Sequence, residues 1–225
     1  MAMTLSLMLT LALALPLSGA RAQELPAAVG EITYAGAGPG SATCTGTLVA
    51  PDLVLTAGHC LGGARKKPSR DARPVVFSAG RNGEVAVAVA EGSERSFPQP
   101  VPDGGSPLSG DLGLLRLSTA IPSDQVAPLP LLTGPPGRFL TLVAYRRDAP
   151  GQPEVNEDCA VLRQAGDLLA LTCPVVSGNS GAPLLQMTED GPAIAAVMAA
   201  KHNSGGLIAS WAVVPGPDVV AAISR

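Results

Sequence analysis

Three short stretches carry residue types that could together perform acyl transfer. His59, one of only two histidines in the chain, ends the run Leu53-Val54-Leu55-Thr56-Ala57-Gly58-His59 and is followed directly by Cys60. A general base must be held rigidly in one tautomer, and a cysteine cross-linked beside it is one way to restrict the turn. Ser180 lies in Gly178-Asn179-Ser180-Gly181, just ahead of the apolar Ala182-Pro183-Leu184-Leu185. A nucleophilic hydroxyl needs backbone N–H groups converging on the developing oxyanion. Gly178 can adopt the angles that turn its N–H there, and Gly181 keeps a side chain away from the incoming carbonyl. Asp111 opens the apolar run Leu112-Gly113-Leu114-Leu115-Arg116-Leu117. A partly buried carboxylate there could accept a proton from an imidazole Nδ1 and stabilise the imidazolium formed during reaction. Asp103, in Pro102-Asp103-Gly104-Gly105, is the reserve candidate and reads more simply as a turn residue. Each stretch taken singly is equally an ordinary strand end or turn.

The elements that must position these groups are short strands. Glycine and proline are abundant, 26 and 22 residues, whereas aromatic residues make up only 3%. Apolar or alternating runs recur between the breakers at 29–34, 45–50, 53–56, 75–78, 85–90, 112–117, 140–145, 168–172, 183–187, 194–200 and 207–214. That spacing predicts an all-β sandwich or barrel. One helix is expected, after Pro217-Asp218, across Val219-Val220-Ala221-Ala222-Ile223. Segment 92–110 reads as a long polar loop, and Pro-rich 122–136 as an extended connector between two halves, 23–121 and 137–225.

The chain opens with an apolar run over 5–17, too short for a comfortable bilayer span, then Ser18-Gly19-Ala20-Arg21-Ala22. Small residues at Ala20 and Ala22 predict a signal peptide over 1–22, although no Lys or Arg precedes the apolar run. Of 225 residues, 225 − 22 = 203 remain, and loss of Arg21 changes the charge from −3 to −4. A weakly acidic chain is a poor nucleic-acid ligand. The basic cluster Arg65-Lys66-Lys67 with Arg70 and Arg73 reads as a solvated loop. Four cysteines and an export signal predict two disulfides formed in an oxidising compartment, secreted or periplasmic. Three pairings are possible, and the local one joins Cys44 to Cys60 and Cys159 to Cys173. Neither a C-x-x-C pair nor H-E-x-x-H is present, so no metal is expected, and no motif calls for a cofactor.

Taken together, Cys44-Thr45-Gly46-Thr47-Leu48-Val49, Leu55-Thr56-Ala57-Gly58-His59-Cys60, Asp111-Leu112-Gly113-Leu114-Leu115 and Gly178-Asn179-Ser180-Gly181-Ala182-Pro183 resemble the trypsin/chymotrypsin superfamily, most closely its bacterial glutamyl-endopeptidase-like branch. The likeness covers about residues 29–198. It implies two perpendicular six-stranded β-barrels with a short C-terminal helix and a cleft between the barrels. It also implies a catalytic set of His59, Asp111 and Ser180, with an oxyanion hole from Gly178 and Ser180. The implied activity is a secreted, monomeric serine endopeptidase acting on polypeptides through an acyl-enzyme, with no membrane attachment after signal cleavage. A catalytically silent binding module or an esterase with the same triad would use the same residues.

Three positions depart from the superfamily pattern. Gly58 replaces the usual alanine. Asn179 replaces the aspartate that pairs with a newly cut N-terminus in trypsin-like zymogens, so no ionic activation switch of that kind is expected. Cys173 lies too close to Ser180 for the pocket-rim disulfide and suits a hairpin bridge to Cys159. The substrate pocket is expected to have Pro174, Val175 and Val176 at its floor and Ser177 at its rim, facing Met198, Ala199, Ala200 and Lys201. It holds no carboxylate, which argues against cleavage after Arg or Lys. A small or apolar residue before the cut is expected, with Lys201 or His202 in reach of an acidic one. Trp211 is expected in the core of the following strand.

Overall fold

The computed structural model describes residues 25–36, 43–63 and 74–225. The expected signal peptide and the basic cluster lie outside these residues. Short strands expose unpaired backbone edges, and closing a sheet on itself removes them. The first closed barrel comprises β1 (Val29–Tyr34), β2 (Cys44–Ala50), β3 (Leu53–Ala57), β4 (Val75–Ala79), β5 (Ala88–Ser96) and β6 (Leu112–Leu117). Its order is β1-β2-β3-β6-β5-β4, with β4 pairing back onto β1. The second comprises β7 (Phe139–Arg146), β8 (Ala149–Ala165), β9 (Leu168–Leu171), β10 (Pro183–Thr188), β11 (Gly191–Lys201) and β12 (Ser210–Val213). Its order is β10-β11-β12-β9-β8-β7, and β7 closes on β10 through Leu184↔Leu142 and Leu185↔Thr141. Among the described residues one α-helix, α1 (Pro217–Ile223), follows β12. The all-β, two-barrel architecture with a terminal helix is therefore the one expected.

Burial on both faces marks the central strands of the first barrel. In β3 and β6 nearly every side chain is buried, because one face fills the barrel and the other packs on neighbouring structure. Ile32, Leu48, Leu55, Phe77, Leu112 and Leu114 are at most 2% exposed. Each such burial contributes about 1.5–3 kcal/mol before entropic costs. A separate apolar cluster in the second barrel contains Leu140, Leu142, Leu169, Leu184 and Met198. Pro217 starts α1, where its missing N–H costs nothing, and Val219 is fully buried.

Two expectations about elements need correction. β8, 17 residues long, was not anticipated. Most of its side chains face outward or are half-buried, so it lacks an apolar signature, and Pro150 and Pro153 near its start read as breakers. It is held by backbone pairing with β7 and β9 instead. Second, the strand expected at 85–90 begins at Ala88 and runs on to Ser96, into the segment read as loop. Glu94 and Arg95 pair with Arg116 and Leu115 at a bulge, and their polar side chains point largely to solvent. Val85 stands before the strand and is 74% exposed.

Candidate active site

His59 lies in a 3-10 turn, Gly58–Leu61, that leaves β3. Asp111 immediately precedes β6, and β3 pairs with β6 through Ala57↔Leu112. The ladder thus brings the imidazole and the carboxylate together across 52 residues of chain. Asp111 accepts two hydrogen bonds from the histidine residue, 2.8 Å from its backbone N to Oδ1 and 2.7 Å between Nδ1 and Oδ2. The carboxylate is 6% exposed, whereas the imidazole is 31% exposed and faces open space. Gly58 is buried against Asp111, and an added Cβ would lie 3.2 Å from Leu112 O and 3.3 Å from Asp111 Oδ1, a tight fit in which the neighbours must give by a few tenths of an ångström. Asp103 is exposed in a turn. The Cys44–Cys60 disulfide ties the His59 turn to β2. Its sulfurs lie near the imidazole, but being bonded to each other they offer no thiolate to a metal.

Ser180 sits on the turn before β10, half-buried, and the turn is pinned from several sides. Arg147 N–H donates to Ser177 O at 2.9 Å. In a trans peptide the C=O and the following N–H point in opposite directions, so this bond turns the Gly178 N–H away from Arg147. Gly178 has φ +109°, and a Cβ there would lie 2.7 Å from Arg147 N and 2.8 Å from Tyr145 O. Gly181 has φ +81°, where a Cβ would overlap Thr56 Oγ1 and Thr45 O. Both positions therefore require glycine on two counts.

Thr45 on β2 holds the turn from the first barrel. Its N–H donates to Ser180 O at 2.8 Å and its hydroxyl to Gly178 O at 3.0 Å, while that hydroxyl accepts from Tyr145 N at 2.9 Å. Asn179, 1% exposed, accepts from Val176 N at 2.8 Å and donates to Tyr145 O at 3.0 Å and to Glu154 Oε1 at 2.8 Å. A neutral amide thus stands where a zymogen-type site has a carboxylate, and β8 supplies the acid that binds it. Glu154 also meets Arg146 at 3.3 Å, which in turn binds Asp148 twice, at 2.9 and 2.7 Å. Those hydrogen bonds raise the Arg146 guanidinium's affinity for its proton and hold Asp148 below the usual carboxylate range.

His59, Gly178 and Ser180 open onto one cleft of about 270 Å³, walled on its far side by Tyr34, the Cys44–Cys60 disulfide and Arg147. No hydrogen bond joins Ser180 Oγ to His59 among the described residues. Such contacts are commonly long in an empty site and tighten around substrate. A smaller pocket of about 160 Å³ opens on the other side of Ser180, between Val175, Val176 and Ser177 and the β11 residues Met198, Ala200 and Lys201. Of the residues expected there, Ala199 is not on its wall, because alternation along β11 turns it the other way, and Pro174 lines a different hollow. That hollow, of about 600 Å³, lies behind the turn between Glu154, Asp158 and Asn179.

His202 does not line the pocket; it accepts from Trp211 Nε1 at 3.1 Å. Trp211 is on β12 but only half-buried, contrary to its expected core position, with the Arg163 guanidinium 5.4 Å from its ring. Neither Thr45 nor Glu154 stands out in the sequence. Thr45 at least adjoins Cys44 in a stretch already of interest, whereas Glu154 lies on the strand that carried no apolar signal.

A histidine–carboxylate pair and a glycine-flanked serine, brought together by two closed antiparallel six-stranded barrels, define the chymotrypsin-like class. The chain belongs to the family of trypsin-like peptidase domains, whose model matches residues 44–195. Among solved structures it is similar to a Glu endopeptidase in complex with MPD, with a TM-score of 0.67 and 24% identity over 89% of this chain and 90% of that one. It is also similar to the thermostable serine protease AL20 from an extremophilic microorganism, with a TM-score of 0.67 and 18% identity over 89% of this chain and 99% of that one. No curated protein matches the sequence. The β8–β9 hairpin carries the Cys159–Cys173 disulfide. Among the described residues no helix is long and apolar enough to cross a membrane.

Proposed function

We propose that the chain is an exported serine endopeptidase in which Ser180 is the nucleophile, His59 its base and Asp111 the group that orients the base. The observation that carries this reading is the 2.7 Å contact of Asp111 Oδ2 with His59 Nδ1, on an imidazole sharing one cleft with Ser180 and Gly178. With Nδ1–H donated to Asp111, Nε2 is left as the acceptor for a hydroxyl proton. Ser180 Oγ attacks the scissile carbonyl as that proton passes to Nε2. The oxyanion draws on the Gly178 and Ser180 N–H groups, and His59 returns the proton to the leaving amine as the C–N bond breaks. Water then attacks the acyl-enzyme, losing a proton to His59, and Ser180 leaves with that proton restored.

The pocket of Val175, Val176, Ser177, Met198, Ala200 and Lys201 suits a small or apolar residue on the acyl side. Val175, Val176, Met198 and Ala200 give it an apolar side, and it holds no carboxylate. Export is supported by residues 1–22 of the sequence and by two disulfides. A fluorophosphonate probe is expected to label the wild-type protein and not Ser180→Ala. Digestion of a mixed peptide library is expected to give internal cuts. Folded protein that takes no label would end the enzymatic reading, and label without peptide cleavage would make the protein an esterase.

A further inference from the structure

We propose that Arg147 makes the cleft select polypeptides with an aspartate or glutamate within the first two residues after the scissile bond. The inference rests on the peptidase reading above and adds a substrate class to it. Two hollows meet at Ser177 and Ser180, the 160 Å³ pocket against β11 and the 270 Å³ cleft beyond His59. A carbonyl presented to Ser180 with its own side chain in the pocket sends the rest of the chain into the cleft. That is also the side on which His59 hands a proton to the departing amine.

Among the described residues the cleft wall on this leaving side carries little charge. Ile32, Thr43, Gly62 and the disulfide are neutral, and the Tyr34 hydroxyl donates to Cys60 O at 3.0 Å. Among the described residues Arg147 is the one lining side chain of fixed charge. Its neighbour explains why it is not neutralised. Arg146 takes both nearby carboxylates, Asp148 by two hydrogen bonds and Glu154 at 3.3 Å. The Arg147 guanidinium therefore has no hydrogen bond or ion pair among the described residues. Its backbone, in contrast, is fixed by the 2.9 Å bond to Ser177 O on the catalytic turn. An anchored main chain bearing an exposed planar fork of donors is suited to meeting a carboxylate that arrives with substrate.

The test uses the protein as secreted and two sets of three peptides, identical except for Glu, Gln or Lys at the first position after the cut in one set and at the second in the other. In at least one set, wild type is expected to show kcat/KM for Glu over Gln of roughly two to five, the range of an exposed ion pair, with Lys below Gln. In about 1 M salt, where the screening length is ~3 Å, the ratio is expected to approach one. Arg147→Ala is expected to abolish the ratio at low salt and Arg147→Glu to invert it. Arg138→Ala, on a strand end remote from the cleft, is expected to keep it. Cleavage by wild type that is indifferent to the charge in both sets, or a preference that survives Arg147→Ala, overturns this inference and leaves the peptidase reading intact. Turnover of none of the peptides, with no probe label on Ser180, overturns both. The wild-type ratio and its salt dependence decide the matter even if a variant fails to fold.

Discussion

Asp111 bonds both the backbone N–H and the ring of His59, so its side chain fixes the position of the turn as well as the tautomer. Asp111→Asn preserves the shape but offers an amide where an acceptor is needed. It is expected to reduce kcat by about 10⁴ while KM changes little, as measured by steady-state kinetics on a cleaved peptide. Tyr145 gives a separate prediction at this scale. Burial, with a smaller contribution from Glu31, pushes its phenol up from 10.0 to about 12, and its hydroxyl donates to Arg81 O at 2.8 Å. Between those two values the unfolded chain has lost a proton that the folded one keeps, so folding stability declines as pH rises. Denaturant titrations from pH 10 to 12 are expected to show a steeper loss for wild type than for Tyr145→Phe. Equal slopes would show that the phenol is not linked to folding.

At the scale of elements, the turn carrying Ser180 depends on β8 through Glu154. Glu154→Ala removes one of the two acceptors of Asn179 Nδ2 and a partner of Arg146. It is expected to leave KM near wild type and to lower kcat several-fold, with Glu154→Gln recovering part of the loss because its Oε1 can still accept. Loss of KM alone would point to a binding role instead. Reduction of Cys44–Cys60, or its replacement by two alanines, opens a loop of sequence separation 16. A stability loss of about 3 kcal/mol is expected by chemical denaturation. The limits of the sequence are physical here. β1 and β6 were placed residue for residue because their side chains alternate or pack on both faces, which composition records. β8 left no such trace, since a strand held by its backbone and facing solvent looks like a loop. The triad candidates were legible because glycines and a cysteine crowd around them. Thr45 and Glu154 act through contacts 133 and 25 residues away, which no local pattern encodes.

For the whole molecule, Gln99 is a clamp between the halves. Its amide donates to Ser109 O at 2.8 Å and to Asp167 Oδ2 at 2.9 Å, and its oxygen accepts from Gly216 N at 2.7 Å. It is 7% exposed, so Gln99→Ala leaves buried groups unmet and is expected to cost about 1–3 kcal/mol. Unfolding that remains a single transition would show the barrels still coupled, whereas two transitions would identify Gln99 as a main link between them.

Thr45 has a wider consequence. It belongs to the half of the polypeptide synthesised first, yet it holds in place the carbonyls of Gly178 and Ser180 from the half synthesised last. Under the proposed mechanism, hydrolytic power would then arise only when the finished chain has docked upon itself. A nascent or truncated copy would carry the base without a nucleophile held in place.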